Sequence, residues 1–262
     1  LFSHITSDDG LANDIVHSIY QDQKGFIWFG TNDGLNRYDG YEFRLFKYNA
    51  SDRRSLSSNS VFGILEDKDG NLWIAASNGV DVFNKETESF RHIQFIGPEN
   101  PDRYESYTRA ITEDNFGNIV IANTSGIFRY DAEQDGFVSY FKDSGENLIY
   151  AQSGIRSMLV DRQNRIWVGT ITSGLFVYEL VDNKLVKLPD EAIDIRASES
   201  IWTMNEMANG DIWVGTDNGI FVVKPDLSSV RKIEKIDRLP DKNAQKIRRI
   251  FIENDTAWIG TD

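Results

Sequence analysis

Six side chains that can stack or bond fall in one column when the sequence is aligned on Asp22, Asp67, Asp114 and Asp161: His17, Phe62, Arg109, Arg156, Trp202 and Arg248. Guanidinium groups suit the hydroxyls and any acidic groups of a carbohydrate, and aromatic faces stack on sugar rings. The following residue is small in most cases (Ser18, Gly63, Ala110, Ser157, Thr203), as crowding around a central axis requires. The blander reading is that the column ties neighbouring sheets together through partly buried side chains. Arg103, Tyr104 and Tyr107, before the third repeat, are further ligand candidates, although these types equally suit a solvated loop.

Other chemistries find less material. There are no cysteines, which removes disulfides, thiolate metal sites and cysteine nucleophiles together. His4, His17 and His92 lie far apart without ligand spacing, so no metal and no cofactor is expected. Asp67-Lys68-Asp69-Gly70-Asn71 has the opening of a calcium loop but not its later acidic ligands, and reads as a hairpin turn. Glycoside hydrolysis needs paired carboxylates, and the column holds none. With 41 acidic against 28 basic residues, a net charge of −13 repels a phosphate backbone, so nucleic-acid binding is not expected.

The elements that must carry this column are set by an internal repeat of about 46 residues. Trp28, Trp73, Trp167, Trp213 and Trp258 mark it, Val120 fills the one gap, and successive separations are 45, 47, 47, 46 and 45. Each unit reads as four short apolar strands joined by turns rich in Gly, Asp and Asn, the composition of antiparallel hairpins. No helical stripe intervenes, which excludes a βαβ architecture. Four antiparallel strands at this spacing are the signature of a propeller blade. A blade must cover both of its faces with neighbours, so the tryptophans are read as inter-blade packing.

The fold expected is therefore all-β, a single partial β-propeller over residues 1–262 with blades at 16–48, 61–95, 108–141, 155–188, 201–236 and a truncated 247–262. That is about five and a half four-stranded blades of a seven-bladed ring. Phe2-Ser3-His4-Ile5 resembles Phe90-Arg91-His92-Ile93, so residues 1–6 are expected to be the outer strand that closes the last blade. An unpaired strand edge is expected at the other end. The longest loops, 49–59, 97–106 and 142–153, and the short turns at Asn32-Asp33 and Asn78 point to one face as the mouth. No run of 18 apolar residues occurs, so the stretch is expected to be soluble, with any targeting or membrane segment outside it.

The run Asp8-Asp9-Gly10-Leu11-Ala12-Asn13, then Val16, Ile19, Gln21-Asp22, Gly25-Phe26-Ile27-Trp28-Phe29-Gly30-Thr31, Asp33-Gly34-Leu35-Asn36-Arg37-Tyr38-Asp39-Gly40 and Phe43, resembles two-component regulator propeller repeats. Ile166-Trp167-Val168-Gly169-Thr170 and Ile212-Trp213-Val214-Gly215-Thr216 repeat the core phrase, and Ile119-Val120-Ile121-Ala122-Asn123 departs from it. The resemblance implies the periplasmic sensor region of a bacterial hybrid two-component system, anchored in the inner membrane by parts outside this chain. It further implies detection of glycan-derived oligosaccharides and control, by phosphorelay, of genes for polysaccharide use. The segment would be non-catalytic, while its full-length parent would carry histidine kinase activity. Expected partners are a small carbohydrate, the remainder of the receptor including further blades, and a second copy in a homodimer. The rival readings are a propeller polysaccharide lyase or glycosidase and a protein-interaction scaffold. Against the sialidase-type enzyme, Asp22 to Gly25 and Asp67 to Gly70 are three residues apart where that motif has two.

Overall fold

Short β-branched and aromatic runs bounded by Gly and Asn turns form strands rather than helices, and 22 strands follow among the residues that the computed structural model describes. It describes residues 4–96, 107–124, 126–140, 154–181, 184–187, 195, 200–233, 246–253 and 256–261. Among these the only helical element is a single 3-10 turn, Ser7–Asp9. The chain divides into two compact units, Leu1–Ser139 and Tyr140–Asp262. The part of the closing-strand expectation at residues 1–3 lies outside the described residues, and His4 to Thr6 belong to no strand.

The first unit holds three antiparallel blades: β1 (Val16–Gln21), β2 (Ile27–Thr31), β3 (Gly34–Tyr38) and β4 (Phe43–Phe46); β5 (Val61–Glu66), β6 (Leu72–Ala76), β7 (Gly79–Asn84) and β8 (Ser89–Ile96); β9 (Ala110–Glu113), β10 (Ile119–Asn123), β11 (Gly126–Asp131) and β12 (Gly136–Ser139). The second and third are joined at their outer edges, where β8 and β12 pair in parallel with Phe95 opposite Phe137. The second unit holds β13 (Ile155–Val160), β14 (Ile166–Thr170), β15 (Leu175–Val181) and β16 (Lys184–Lys187), then β17 (Ile201–Glu206), β18 (Ile212–Thr216), β19 (Gly219–Val223) and β20 (Val230–Lys232), and the pair β21 (Ile247–Glu253) and β22 (Thr256–Thr261).

Four of the repeat tryptophans are covered by the blade that follows. Trp28 packs among Leu56, Ile64, Leu72, Ile74 and Phe83, and Trp73 among Ile119, Ile121, Phe128 and Phe137. In the second unit Trp167 meets Ile201, Met204, Ile212 and Val214, and Trp213 meets Ile247 and Ile250. Trp258, with its cross-strand partner Phe251, is 52% exposed. Burial of such rings is the main apolar contribution to blade cohesion, about 3–5 kcal/mol for each on truncation.

A buried carboxylate fixes the depth of three of these indoles. At the end of the inner strand Asp22 Oδ1 accepts the backbone N–H groups of Lys24 and Phe26, and Oδ2 accepts Trp28 Nε1 at 3.0 Å. Asp67 repeats this with Asp69, Asn71 and Trp73, at 2.7 Å to the indole. The stretch that has the look of a calcium loop is thus a carboxylate-capped turn, with Gly70 at φ 82°. Asp161 binds Gln163 N, Arg165 N, Arg165 Nε and Trp167 Nε1. In the third blade, where Val120 replaces tryptophan, the amide of Asn118 takes the second oxygen of Asp114 instead. Neighbouring blades are also latched: Glu66 accepts Gln23 N at 2.7 Å and Glu206 accepts Arg162 N at 3.0 Å.

Two outcomes follow from these bonds. Asp161→Ala leaves the buried Arg165 without its partner and an indole N–H unmet, and should destabilise by about 3–5 kcal/mol. Asp114→Ala, which frees no charge and no indole, should cost about 1–2 kcal/mol on the same urea-unfolding scale. The second outcome concerns His92, whose Nδ1 lies 2.6 Å from Oδ1 of the fully buried Asp81. That bond holds the imidazolium pKa above its ordinary 6.5, against desolvation. The stabilisation is complete below 6.5 and is lost as pH rises through the higher folded value. The urea midpoint should fall across that window, and His92→Gln should flatten the fall.

Candidate functional site

The column of side chains singled out by sequence sits on a repeated backbone irregularity. In β1 the register passes from Val16 to Ser18 opposite consecutive residues of β2, so His17 is the extra residue of a bulge. The same slip leaves Phe62, Arg156, Trp202 and Arg248 as the bulged residues of β5, β13, β17 and β21. A bulge turns its extra side chain out of the ladder and recurs beside functional sites. Arg109 immediately precedes β9 and donates its backbone N–H to Ala122 O at 3.3 Å.

Small residues bring the inner strands close enough for these side chains to meet. A Cβ on Gly30 would lie 2.7 Å from Val61 Cγ1, and one on Gly63 would lie 2.8 Å from Ile111 Cγ2. On Gly215 it would lie 2.6 Å from Thr203 Cγ2 and 2.8 Å from Ile247 Cγ2. Ser157 bridges directly, donating its hydroxyl to Ile201 O at 3.0 Å.

In the first unit the ring of Phe62 is the centre of the cluster. His17 lies 5.0 Å from it and Arg109 4.8 Å over it, from the blades on either side. Tyr107 completes the group, 6.1 Å from Phe62 and 5.7 Å from the Arg109 guanidinium. His17 Nε2 is 2.6 Å from Asn32 Oδ1, so the short turn after β2 lies on the same face as the bulge.

In the second unit Trp202 takes the place of the ring. The Arg156 guanidinium lies 3.6 Å from the indole centroid and that of Arg248 3.5 Å. Two guanidinium groups cannot both occupy one face at that distance, so they sandwich the ring. The ring itself is pinned by its Nε1, which donates to Asp217 Oδ1 at 2.7 Å, again from the turn after the second strand. Two cations held about 7 Å apart repel by about 2 kcal/mol at an effective dielectric of 20. Two cation–π contacts, each about 0.5–2 kcal/mol, offset this.

The structure thus brings together His17, Arg109 and Tyr107 about Phe62, and Arg156 and Arg248 about Trp202. Arg103 and Tyr104 lie outside the described residues, as do the loops 97–106 and 142–153. Sequence reasoning put the Asn32 turn on the mouth face without giving Asn32 a partner, and missed Asp217; both directly follow the Thr that ends a second strand, and that regular place is the signal that could have found the second. Asp22, Asp67, Asp114 and Asp161 are buried in their turns at the far end of the inner strands. Among the described residues no group of three or more His, Asp or Glu is arranged to hold a metal.

Residues 10–33, 55–78 and 150–172 match the two-component regulator propeller family. A 57-residue stretch is 42% identical to Histidine kinase P4 of Formosa agariphila, covering 22% of this chain and 4% of that protein. The extracellular domain of a hybrid two-component system from B. thetaiotaomicron superposes with a TM-score of 0.63 at 21% identity, over 99% of this chain and 40% of that one. A virginiamycin B lyase from Staphylococcus aureus superposes at 0.70 with 14% identity, over 96% of this chain and 78% of that one. At such identities the likeness is one of fold, a β-propeller. The chain spans under half the length of the two-component proteins that it matches.

Gly215→Val should test how far the cluster depends on close strand approach. The added methyl groups meet Thr203, next to the bulged Trp202, and Ile247, next to the bulged Arg248, and should destabilise by about 1–3 kcal/mol. Tryptophan emission should shift in the folded variant as the guanidinium groups lose their seats; a variant as stable as the parent would show that the inner strands have room to spare.

Proposed function

We propose that this chain, which carries two-component regulator propeller repeats, is a ligand-detecting, non-catalytic part of the periplasmic region of a hybrid two-component receptor. Its ligand is a glycan-derived oligosaccharide, and the receptor controls genes for polysaccharide use through phosphorelay. The histidine kinase, the inner-membrane anchor and further blades belong to the remainder of the receptor, which signals as a homodimer.

The observation that carries this reading is the coincidence of family segments with the bulged hairpins. The three matched segments contain β1–β2, β5–β6 and β13–β14, and hence His17, Phe62 and Arg156. In each unit an aromatic ring of the middle blade is flanked by nitrogen-bearing side chains of its neighbours. Rings flanked by hydrogen-bond donors are what a polyhydroxylated ligand requires, and propeller ligands gather where loops of one face converge. The column offers imidazole, guanidinium, phenyl and indole groups but no carboxylate, which favours binding over glycoside hydrolysis.

Calorimetric titration of the receptor ectodomain with neutral and acidic oligosaccharides should give saturable heat for at least one, with the sugar recovered intact. New reducing ends or unsaturated products would replace the sensor reading with the enzyme, and absence of heat with every sugar would remove it.

A further inference from the structure

We infer that Arg109 receives an oxyanion of the ligand, the carboxylate or sulfate of an acidic sugar, at the Phe62 cluster of the first unit. The inference rests on the sensor reading above and names the ligand class for that same site. The Arg109 guanidinium lies 4.8 Å from the Phe62 centroid and 5.7 Å from that of Tyr107. Both rings attract the cation, but neither accepts its N–H groups as an oxygen does. Among the described residues no oxygen accepts from those donors, and none bonds the Tyr107 hydroxyl beside them. The donor set is therefore positioned and unspent.

Two other half-buried cations of the unit are handled differently. Arg37 meets Glu88 of the next blade at 3.1 Å, and Lys85 meets Glu66. Arg109 is equally half-buried, and the loss of part of its water without an acceptor carries a desolvation cost that an incoming oxyanion offsets. The guanidinium fork fits a carboxylate or sulfate through two parallel N–H···O bonds. Tyr107 is 52% exposed, so the cluster opens to solvent on its side. The other nitrogen-bearing groups of the column are already engaged: His17 with Asn32, and Arg156 and Arg248 with further interactions besides the Trp202 ring. A chain of net charge −13 repels an acidic ligand as a whole, so its capture depends on this one local pairing.

Titration of the receptor ectodomain with a uronate oligosaccharide, its carboxyl methyl ester, a sulfated oligosaccharide and an uncharged one tests this, beside Arg109→Gln and Arg109→Lys. The uronate or the sulfated sugar should bind about tenfold or more tightly than the ester and the uncharged form, and which of the two does so identifies the source of the oxyanion. Arg109→Gln should abolish that preference, and Arg109→Lys, which keeps the charge but not the fork, should retain only part of it. In the unaltered protein the preferred sugar, and not its uncharged form, should protect Arg109 from phenylglyoxal, read by mass spectrometry of the peptide that contains it. If Arg109 served only to fill the space between the rings, Arg109→Gln would lower the urea midpoint and leave the preference intact. That result overturns the inference while the sensor reading stands, as do equal affinity for all four sugars and labelling of Arg109 that no sugar suppresses. Failure of every sugar to bind overturns both.

Discussion

Three blades of this chain, the first, second and fourth, each answer to one buried carboxylate and the hairpin that it closes. Asp22, Asp67 and Asp161 each cap the turn after an inner strand with two backbone N–H groups and, through the second oxygen, hold the indole of the next strand. Anchoring the indole N–H within its own sheet leaves the ring face for the neighbouring blade. Polar satisfaction and apolar burial are therefore solved by one side chain pair, and the spacing of about 46 residues is the length of chain needed to return to that arrangement.

The fifth blade shows what happens when the carboxylate moves. Met207 stands at the aspartate place, Asp211 at the end of the turn pairs with Lys224, and Trp213 is only partly buried against Ile247 and Ile250. The third blade shows the opposite economy, with Val120 fully buried and Asn118 taking the freed oxygen. The strand count is preserved in both. The inner edge, which carries the candidate site, is thus insulated from variation at the turn end of the hairpins.

The spacing of Trp28, Trp73 and Trp167 made the packing role of these rings readable, since a large apolar side chain repeated at blade length has few other uses. Trp258 obeys the same spacing and is half exposed, because burial depends on a neighbour that a residue cannot encode alone. The column of His17, Phe62, Arg109, Arg156, Trp202 and Arg248 was legible as an alignment, but its cause was not: a bulge is a property of two strands in register, and no residue type announces it. The pairing of Trp202 with Asp217, and of His17 with Asn32, was hidden for the same reason, being a contact between the two ends of one hairpin. Glu66 and Glu206 as latches to the preceding turn were equally unread, for they look like solvated charges until the adjacent blade is in place.

The parallel seam between β8 and β12 gives two blades of the first unit an unusual mechanical bond. Sheets that meet only by side chains can slide or splay, whereas here Gly136, Phe137 and Val138 register with Gln94, Phe95 and Ile96 along the outer rim. Inner strands β5 and β9 already pack at the opposite edge, so the pair is stitched along both margins. Two sheets joined along both margins resist sliding and splaying better than sheets joined by side chains alone. The inner edge that carries Phe62 and Arg109 is thereby coupled to the outer rim through continuous backbone hydrogen bonding.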